Sequence, residues 1–457
     1  MSCFFLEARR AVPPIPEDDE NMIRSVERAK SLRGTVALPG DKSISHRYAM
    51  LAAIAEGPSE LRHFASSQDC RSTLGCLRGL GVEVREEGDA VTVFGRGLNG
   101  LCAPAGVLDA GNSGTTMRLL SGILAGQTFQ STISGDESLS RRPMGRIAQP
   151  LRLMGAAVEA RARDLPPLTI RGGKLRGLRY ALPVASAQVK SCVLLAGLYS
   201  QGATAVREDI PTRDHTEIAL ANFGCAVRQD GSWIEVETGP RLIGRNLDVP
   251  GDLSGAAFFL AAAALVPDSE LILPHVGLNH RRRELLDYLQ SAGMDIAVEN
   301  LSECAGEPRG DLRVRHSTGF LDGGMPAIGE PLAASLIDEI PVLAVLGSQT
   351  AGGIEISGAG ELRVKESDRI AALAANLAAM GARVEERPDG LIIRGRQRLR
   401  GADIDTRGDH RIAMAFAVAG MAADGETRIH DAECAAVSYP DFWDTLDRVS
   451  SGLDPIN

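Results

Sequence analysis

The sequence predicts an α/β protein of two domains built from repeats of one unit, and three observations lead there. The chain has 457 residues, too many for a single core. Six apolar helices rich in Ala and Leu recur at intervals of roughly 65–85 residues, starting near Ser43, Gly114, Ala187, Leu253, Glu339 and Asp409. Between them the pattern L-x-x-x-G-x-x-[V/I] returns five times, at Leu77 to Gly81, Leu151 to Gly155, Leu220 to Gly224, Leu289 to Gly293 and Leu377 to Gly381.

The apolar helices lack a polar face, so they are expected to be buried. Gly57, Gly126, Gly202, Gly352 and Gly425 read as their ends. The L-x-x-x-G pattern reads as the last turn of an amphipathic helix, a left-handed Gly, and then a strand. Val82 to Val84, Val91 to Val93 and Leu391 to Ile393 are such short strands, and a sixth, degenerate copy near Leu446 ends the chain. Six units, three to a domain, match the length. Residues 1–30 read as a flexible extension, because Pro13, Pro14 and Pro16 oppose regular structure. The apolar stretch Met1 to Leu6 is too short for a signal peptide, and Glu17-Asp18-Asp19-Glu20 argues against a transit peptide.

Composition narrows the partners. A net charge of −10 argues against nucleic acid or an anionic membrane, and aromatics at 4% leave few platforms for stacking bases. The apolar run Ala256 to Val266 is too short to span a bilayer. Eight cysteines without a CxxC pair suit a reduced cytosolic protein, and eight histidines without HExxH spacing predict no zinc site.

A buried helix aims unpaired N–H groups and partial positive charge out of its N-terminus, where phosphates and carboxylates bind. Cations recur at these starts. Lys42, Ser43 and Arg47 flank the first, where Ser43 can cap the helix or bind an anion oxygen; the GK[ST] order of a Walker loop is absent. Gly114 opens the second and lets a ligand approach the backbone. Downstream, Arg141, Arg142 and Arg146 form either an anion clamp or a solvated basic loop. Ser186, Gln188 and Lys190 mark the third start, with Lys190 facing a cleft or an ion pair. Arg213 lies nearby, where Asp214 and Thr216 read as helix caps. Asp338 precedes the fifth helix as a cap or as a partly desolvated general base. On a helix beginning near Glu366, Lys365 and Arg369 would share a face, and Arg411 sits at the mouth of the sixth start.

The motifs LPGDKSISHR, GNSGTTMR, RRPMGR, SAQVKS, TRDHTE, DEIP, RVKESDR and DHRIAM follow one another from about Arg33 to Asp447. With them the chain resembles the 5-enolpyruvylshikimate-3-phosphate synthase family of the shikimate pathway. The resemblance implies two domains, each of three βαβαββ units, that close over the substrates. The family's chain crosses between domains twice, which here implies hinges near Asp41 and Val249-Pro250-Gly251. The domains would then be 42–249 and 31–41 plus 250–457. Lys42, Ser43, Arg47, Ser186, Gln188, Arg213, Asp338 and Lys365 are implied to hold shikimate 3-phosphate. Lys42, Gly114, Arg142, Gln188, Arg369 and Arg411 are implied to surround phosphoenolpyruvate. Asp338, Glu366 and Lys42 are the implied catalytic groups, in a cytoplasmic monomer without cofactor or metal.

The chain departs from the family at Ala187, where many members carry a second Ser, at Val437, where some carry a Lys, and at Glu361, where others carry an Asn. Lys190 and Arg213 read as compensating cations. Gly114 is not the Ala that narrows the pocket of a glyphosate-tolerant member, so glyphosate is expected to compete with phosphoenolpyruvate. A sister transferase acting on a UDP-sugar is disfavoured, because the stretch from Gly135 to Arg146 has no Cys. A silent metabolite binder on the same fold is disfavoured by Asp338, Lys365 and Glu366 together.

Overall fold

The computed structural model describes residues 22–452. Its helices of eight residues or more alternate between fully buried and amphipathic. In chain order they are α1 (Lys42–Ala53), α2 (Gln68–Gly79), α3 (Gly114–Ala125), α4 (Gly145–Met154), α5 (Ala187–Gly197) and α6 (His215–Asn222). They continue as α7 (Leu253–Leu265), α8 (Glu284–Ser291), α9 (Ile340–Gln349), α10 (Arg369–Ala379), α11 (His410–Ala422) and α12 (Phe442–Ser451). The odd-numbered helices are the apolar ones. All of α7 is buried, as is α1 from Ile44 onward, because neither carries a polar face to turn outward.

Four of the sheets share one order. Leu108–Asp109 runs parallel to Gln130–Ser134, which pairs antiparallel with Leu165–Arg171, and that strand pairs antiparallel with Ala157–Arg161. The same order joins Arg179–Ala181, Thr204–Arg207, Trp233–Val236 and Val227–Asp230. It recurs with Leu247–Asp248, Glu56–Arg62, Ala90–Arg96 and Glu83–Glu87, and with Arg33–Thr35, Glu270–Gly277, Glu307–Arg315 and Asp295–Cys304.

Two hydrophobic clusters form the core. One draws on residues 44–249, the other on 26–38 and 253–449. Small residues set the helix spacing within them: a Cβ on Gly122 of α3 would stand 2.3 Å from the carbonyl oxygen of Cys192 on α5. The chain passes between the clusters at two neighbouring strands, where Asp41 N–H donates to Pro250 O (2.7 Å) and Asp252 N–H to Pro39 O (2.9 Å). His63 spans both passages, with Nδ1 2.8 Å from Val249 O and Nε2 2.9 Å from Leu38 O.

Some expectations change. Residues 22–30 belong to the fold, not to an extension: Arg24–Val26 pairs antiparallel with Thr427–Ile429, whose edge would otherwise be open, and Val26 is buried. Residues 1–21 lie outside the described residues. Gly126 caps α3, but α1 stops at Ala53 and Gly57 falls inside the next strand. The Ile54 N–H turns back to Leu51 O (3.2 Å) with negative φ, so no Gly is needed to end that helix. Among the described residues no helix is long and apolar enough to cross a membrane.

The predicted left-handed glycines are present: φ is +82° at Gly81, +105° at Gly155, +95° at Gly224, +93° at Gly293 and +88° at Gly381. At Gly381 an added Cβ would meet no atom within 4 Å, so a substitution there tests backbone strain alone. Gly381→Ala is expected to destabilise the protein by about 1 kcal/mol, read as a lower urea midpoint with unchanged steepness.

Candidate active site

All six buried helices turn their openings into one cleft. Lys42 and Ser43 come from α1, Gly114, Thr115 and Arg118 from α3, Gln188 from α5, Ser254 from α7, and His410 and Arg411 from α11. Asp338 stands two residues before α9, and Asp252 caps α7. Segments leading into the amphipathic helices add Arg142, Arg213, Arg282, Lys365 and Glu366, with Arg369 opening α10. Both core clusters therefore supply walls. Side-chain caps fix several starts: Asp41 accepts from Ile44 N–H (2.9 Å), Ser113 from Thr116 N–H (3.0 Å) and Asp409 from Arg411 N–H (2.9 Å).

Eight lysines and arginines line the cleft against four carboxylates, so it is locally cationic in an acidic protein. Every lining carboxylate is held by cations. Asp338 Oδ2 lies 2.7 Å from Arg213 Nη2, and its Oδ1 lies 3.5 Å from Lys365 Nζ and 3.7 Å from Arg369 Nη1. Burial pushes its carboxyl up, but Lys365, Arg213, Arg411 and Arg369 together outweigh burial and hold it well below the usual carboxylate range. Glu366 is 2.6 Å from Arg369 and 3.4 Å from Arg142; these guanidiniums likewise overcome burial and hold it well below that range. Lys42 Nζ lies 3.0 Å from Asp69, which offsets burial and keeps the ammonium charged. His410 is held neutral by burial and by Lys42 and Arg411. Gln188 donates to Thr115 (2.9 Å) and accepts from Arg118 (2.6 Å), bracing the floor between α3 and α5.

The structure brings together eleven of the thirteen residues expected from the motifs: Lys42, Ser43, Gly114, Arg142, Gln188, Arg213, Asp338, Lys365, Glu366, Arg369 and Arg411. Arg47 is not on the wall. It is buried behind it, donating to Ser43 O (2.7 Å), Thr216 (2.7 Å) and Ser191 (3.0 Å). Ser186 is half-buried and caps α5 through Val189 N–H, off the cleft wall.

Lys365 and Arg369 do not share a helix face. Asp368 caps α10, which begins at Arg369, so the two cations converge on Asp338 through a turn. Lys190 is no cleft cation: it is fully buried, 3.0 Å from Glu208 and 2.6 Å from Glu217. Thr216 and Asp214 make no cap bonds; Thr216 accepts from Arg47 and Asp214 from Asn279 (2.9 Å). Nor is Asp338 a cap, because α9 begins without a side-chain cap. Arg146 leaves the clamp to pair with Glu361 at the rim (2.6 Å).

Sequence reasoning misses Asp69, Asp252, Ser254 and Arg282 on the wall, and does not single out Thr115, Arg118, Val364 or His410 there. Arg118 and His410 sit inside the quoted motifs and were legible there. Asp69 carries no local signal, and Arg282 carries only that of the run Arg281-Arg282-Arg283.

An α/β chain that turns six buried helices and an excess of cations onto one cleft is of the class that gathers small anionic metabolites. The family model for EPSP synthase (3-phosphoshikimate 1-carboxyvinyltransferase) matches residues 26–446. The chain is 54% identical to the 3-phosphoshikimate 1-carboxyvinyltransferase of Solibacter usitatus, across 94% of this chain and 100% of that one. It is 52% identical to that of Pelotomaculum thermopropionicum, across 93% and 98%. The solved EPSP synthase of Acinetobacter baumannii superposes with a TM-score of 0.81 at 42% identity, covering 93% of this chain and 98% of that one. The chain belongs to the EPSP synthase family.

The depressed carboxylates make a pH prediction. Their ion pairs contribute stability that is complete above the ordinary carboxylate pKa of about 4 and is lost as pH falls through the lower folded values. An anion entering the cleft screens the same cations and pushes both carboxyls up. Sulfate, which does not titrate here, is expected to bind with proton uptake that grows as pH drops from 7 towards 5. Calorimetry in two buffers of different ionisation heat measures it, and proton release would contradict it.

Proposed function

We propose that this chain transfers the enolpyruvyl group of phosphoenolpyruvate to the 5-hydroxyl of shikimate 3-phosphate and releases phosphate. The observation that carries the reading is the single cleft in which eight cations surround two ionised carboxylates, Asp338 and Glu366. Two polyanions repel each other strongly in a desolvated site, and only such a surplus of cations offsets that. The family membership supports the same reaction.

In this reading shikimate 3-phosphate is held by Lys42, Ser43, Gln188, Arg213, Asp338 and Lys365. Arg47 acts from behind by fixing the Ser43 carbonyl, and Ser186 adds a hydroxyl two residues from Gln188. Phosphoenolpyruvate is held by Lys42, Gly114, Arg142, Gln188, Arg369 and Arg411. The 5-oxygen forms a bond to C2 while its proton passes to Asp338 and C3 gains a proton through Glu366. The C2–O bond to phosphate then breaks, with Lys42 balancing the charge of the leaving group, and C3 returns its proton to restore the vinyl group. Ionised Asp338 is ready as a base. Glu366 becomes a donor only when bound anions have screened Arg369 and Arg142.

The same reading includes six βαβαββ units, three in 42–249 and three in 31–41 plus 250–457, the second domain extended back to residue 22. The recurring strand order, the alternating helices and the two core clusters support it. The same reading takes the protein to act as a monomer.

Phosphate release on mixing the two substrates tests the reading. Asp338→Ala is expected to lower kcat by about 10²–10⁴-fold, the scale of a lost general base; an unchanged rate removes that role. Gly114→Ala places a Cβ 2.8 Å from Arg118 Nη1 and 3.6 Å from Arg142 Nη1, where it narrows the anion pocket. Glyphosate inhibition is expected to weaken in that variant, and equal inhibition constants would discard the pocket assignment.

A further inference from the structure

The mechanism leaves one buried cation on the cleft wall without a task. Arg282 lies just before α8, set by its N–H bond to Asn279 O (2.8 Å). Its Nη2 donates to the Ser254 hydroxyl, which in turn donates to Glu339 Oε1. Glu339 is buried at the start of α9, and two guanidiniums compete for that same oxygen: Arg282 Nη2 at 3.6 Å and Arg411 Nη1 at 3.9 Å. Among the described residues Glu339 is the one carboxylate within 4 Å of the Arg411 guanidinium. Arg282 reaches a second acid as well, Asp252, at 3.8 Å.

We infer that Arg282 is a positioning residue that engages Glu339 so that Arg411 remains available to the phosphoenolpyruvate anion. The reason is charge partition. A buried carboxylate takes whatever cation is left to it, because standing alone is costly. With Arg282 present, Ser254 and Arg282 satisfy Glu339 from the α7–α8 side. Without it, the nearest remaining cation is Arg411, and closing a gap of 3.9 Å to a hydrogen bond turns its guanidinium away from the ligand. Burial pulls the Arg282 guanidinium down, yet Glu339, Asp41, Asp252 and Asp338 outweigh it, so the charge persists. The inference rests on the reading of Arg411 as a phosphoenolpyruvate ligand.

The test is a cycle of Arg282→Met, Glu339→Gln and the double variant, assayed by phosphate release with each substrate varied in turn. Arg282→Met is expected to raise KM for phosphoenolpyruvate by about tenfold or more, the scale of one lost charge-assisted contact, and to change KM for shikimate 3-phosphate by less than about threefold. Glu339→Gln alone is expected to leave KM for phosphoenolpyruvate unchanged or lower it. The double variant, with neither charge of the pair, is expected to return that KM to within about threefold of the wild type although the arginine is gone. It also keeps the test usable if Arg282→Met alone fails to fold. A double variant as impaired as Arg282→Met, or both KM values rising together, would overturn the inference. Absence of turnover by the wild type would instead overturn the proposed function.

Discussion

Eight lysine and arginine side chains cannot share one cleft on their own account. They repel one another, and burial strips away the water that would screen them. The protein resolves this by threading carboxylates among them: Asp69 beside Lys42, Asp338 between Arg213, Lys365 and Arg369, Glu366 between Arg369 and Arg142, and Asp409 beneath Arg369 at 2.8 Å. The lattice is self-consistent and is biased towards accepting more negative charge. The same pairing that stabilises the cleft holds Asp338 and Glu366 ionised, so stability and the proposed chemistry draw on one set of contacts.

That lattice depends on the fold delivering charges from distant parts of the chain. Buried helices do this economically, because each ends in a fixed start with partial positive charge, and six of them address one point. The apolar bodies of α7 and α11 exclude water behind the site, while their caps, Asp252 and Asp409, hold the first N–H groups in place. Small residues such as Gly122 let the helices approach closely enough for their openings to converge.

Both passages between the core clusters lie side by side, bonded to each other and to His63. Away from this connection, wall residues of the two clusters meet across the cleft, as in Arg213 with Asp338 and Arg142 with Glu366.

Much was legible in the linear sequence. The α/β class, the buried helices and the five left-handed glycines follow from local chemistry: an apolar run with no polar face must be covered, and a Gly after a Leu-anchored last turn adopts positive φ at little cost. The motif residues at helix starts were also legible, since a cation beside a helix opening is visible in a few residues. What tertiary structure decided was partnership. Lys190 and Arg213 look alike in sequence, yet one is sealed between Glu208 and Glu217 and the other reaches Asp338 across the cleft. Arg47 shares a helix start with Lys42 and Ser43 yet is buried behind the wall against Ser43 O, while Arg282, which lies in no motif, is on the wall. A charge takes its role from what lies within a few ångströms of it, and residues far apart in the chain set that distance only when the fold closes.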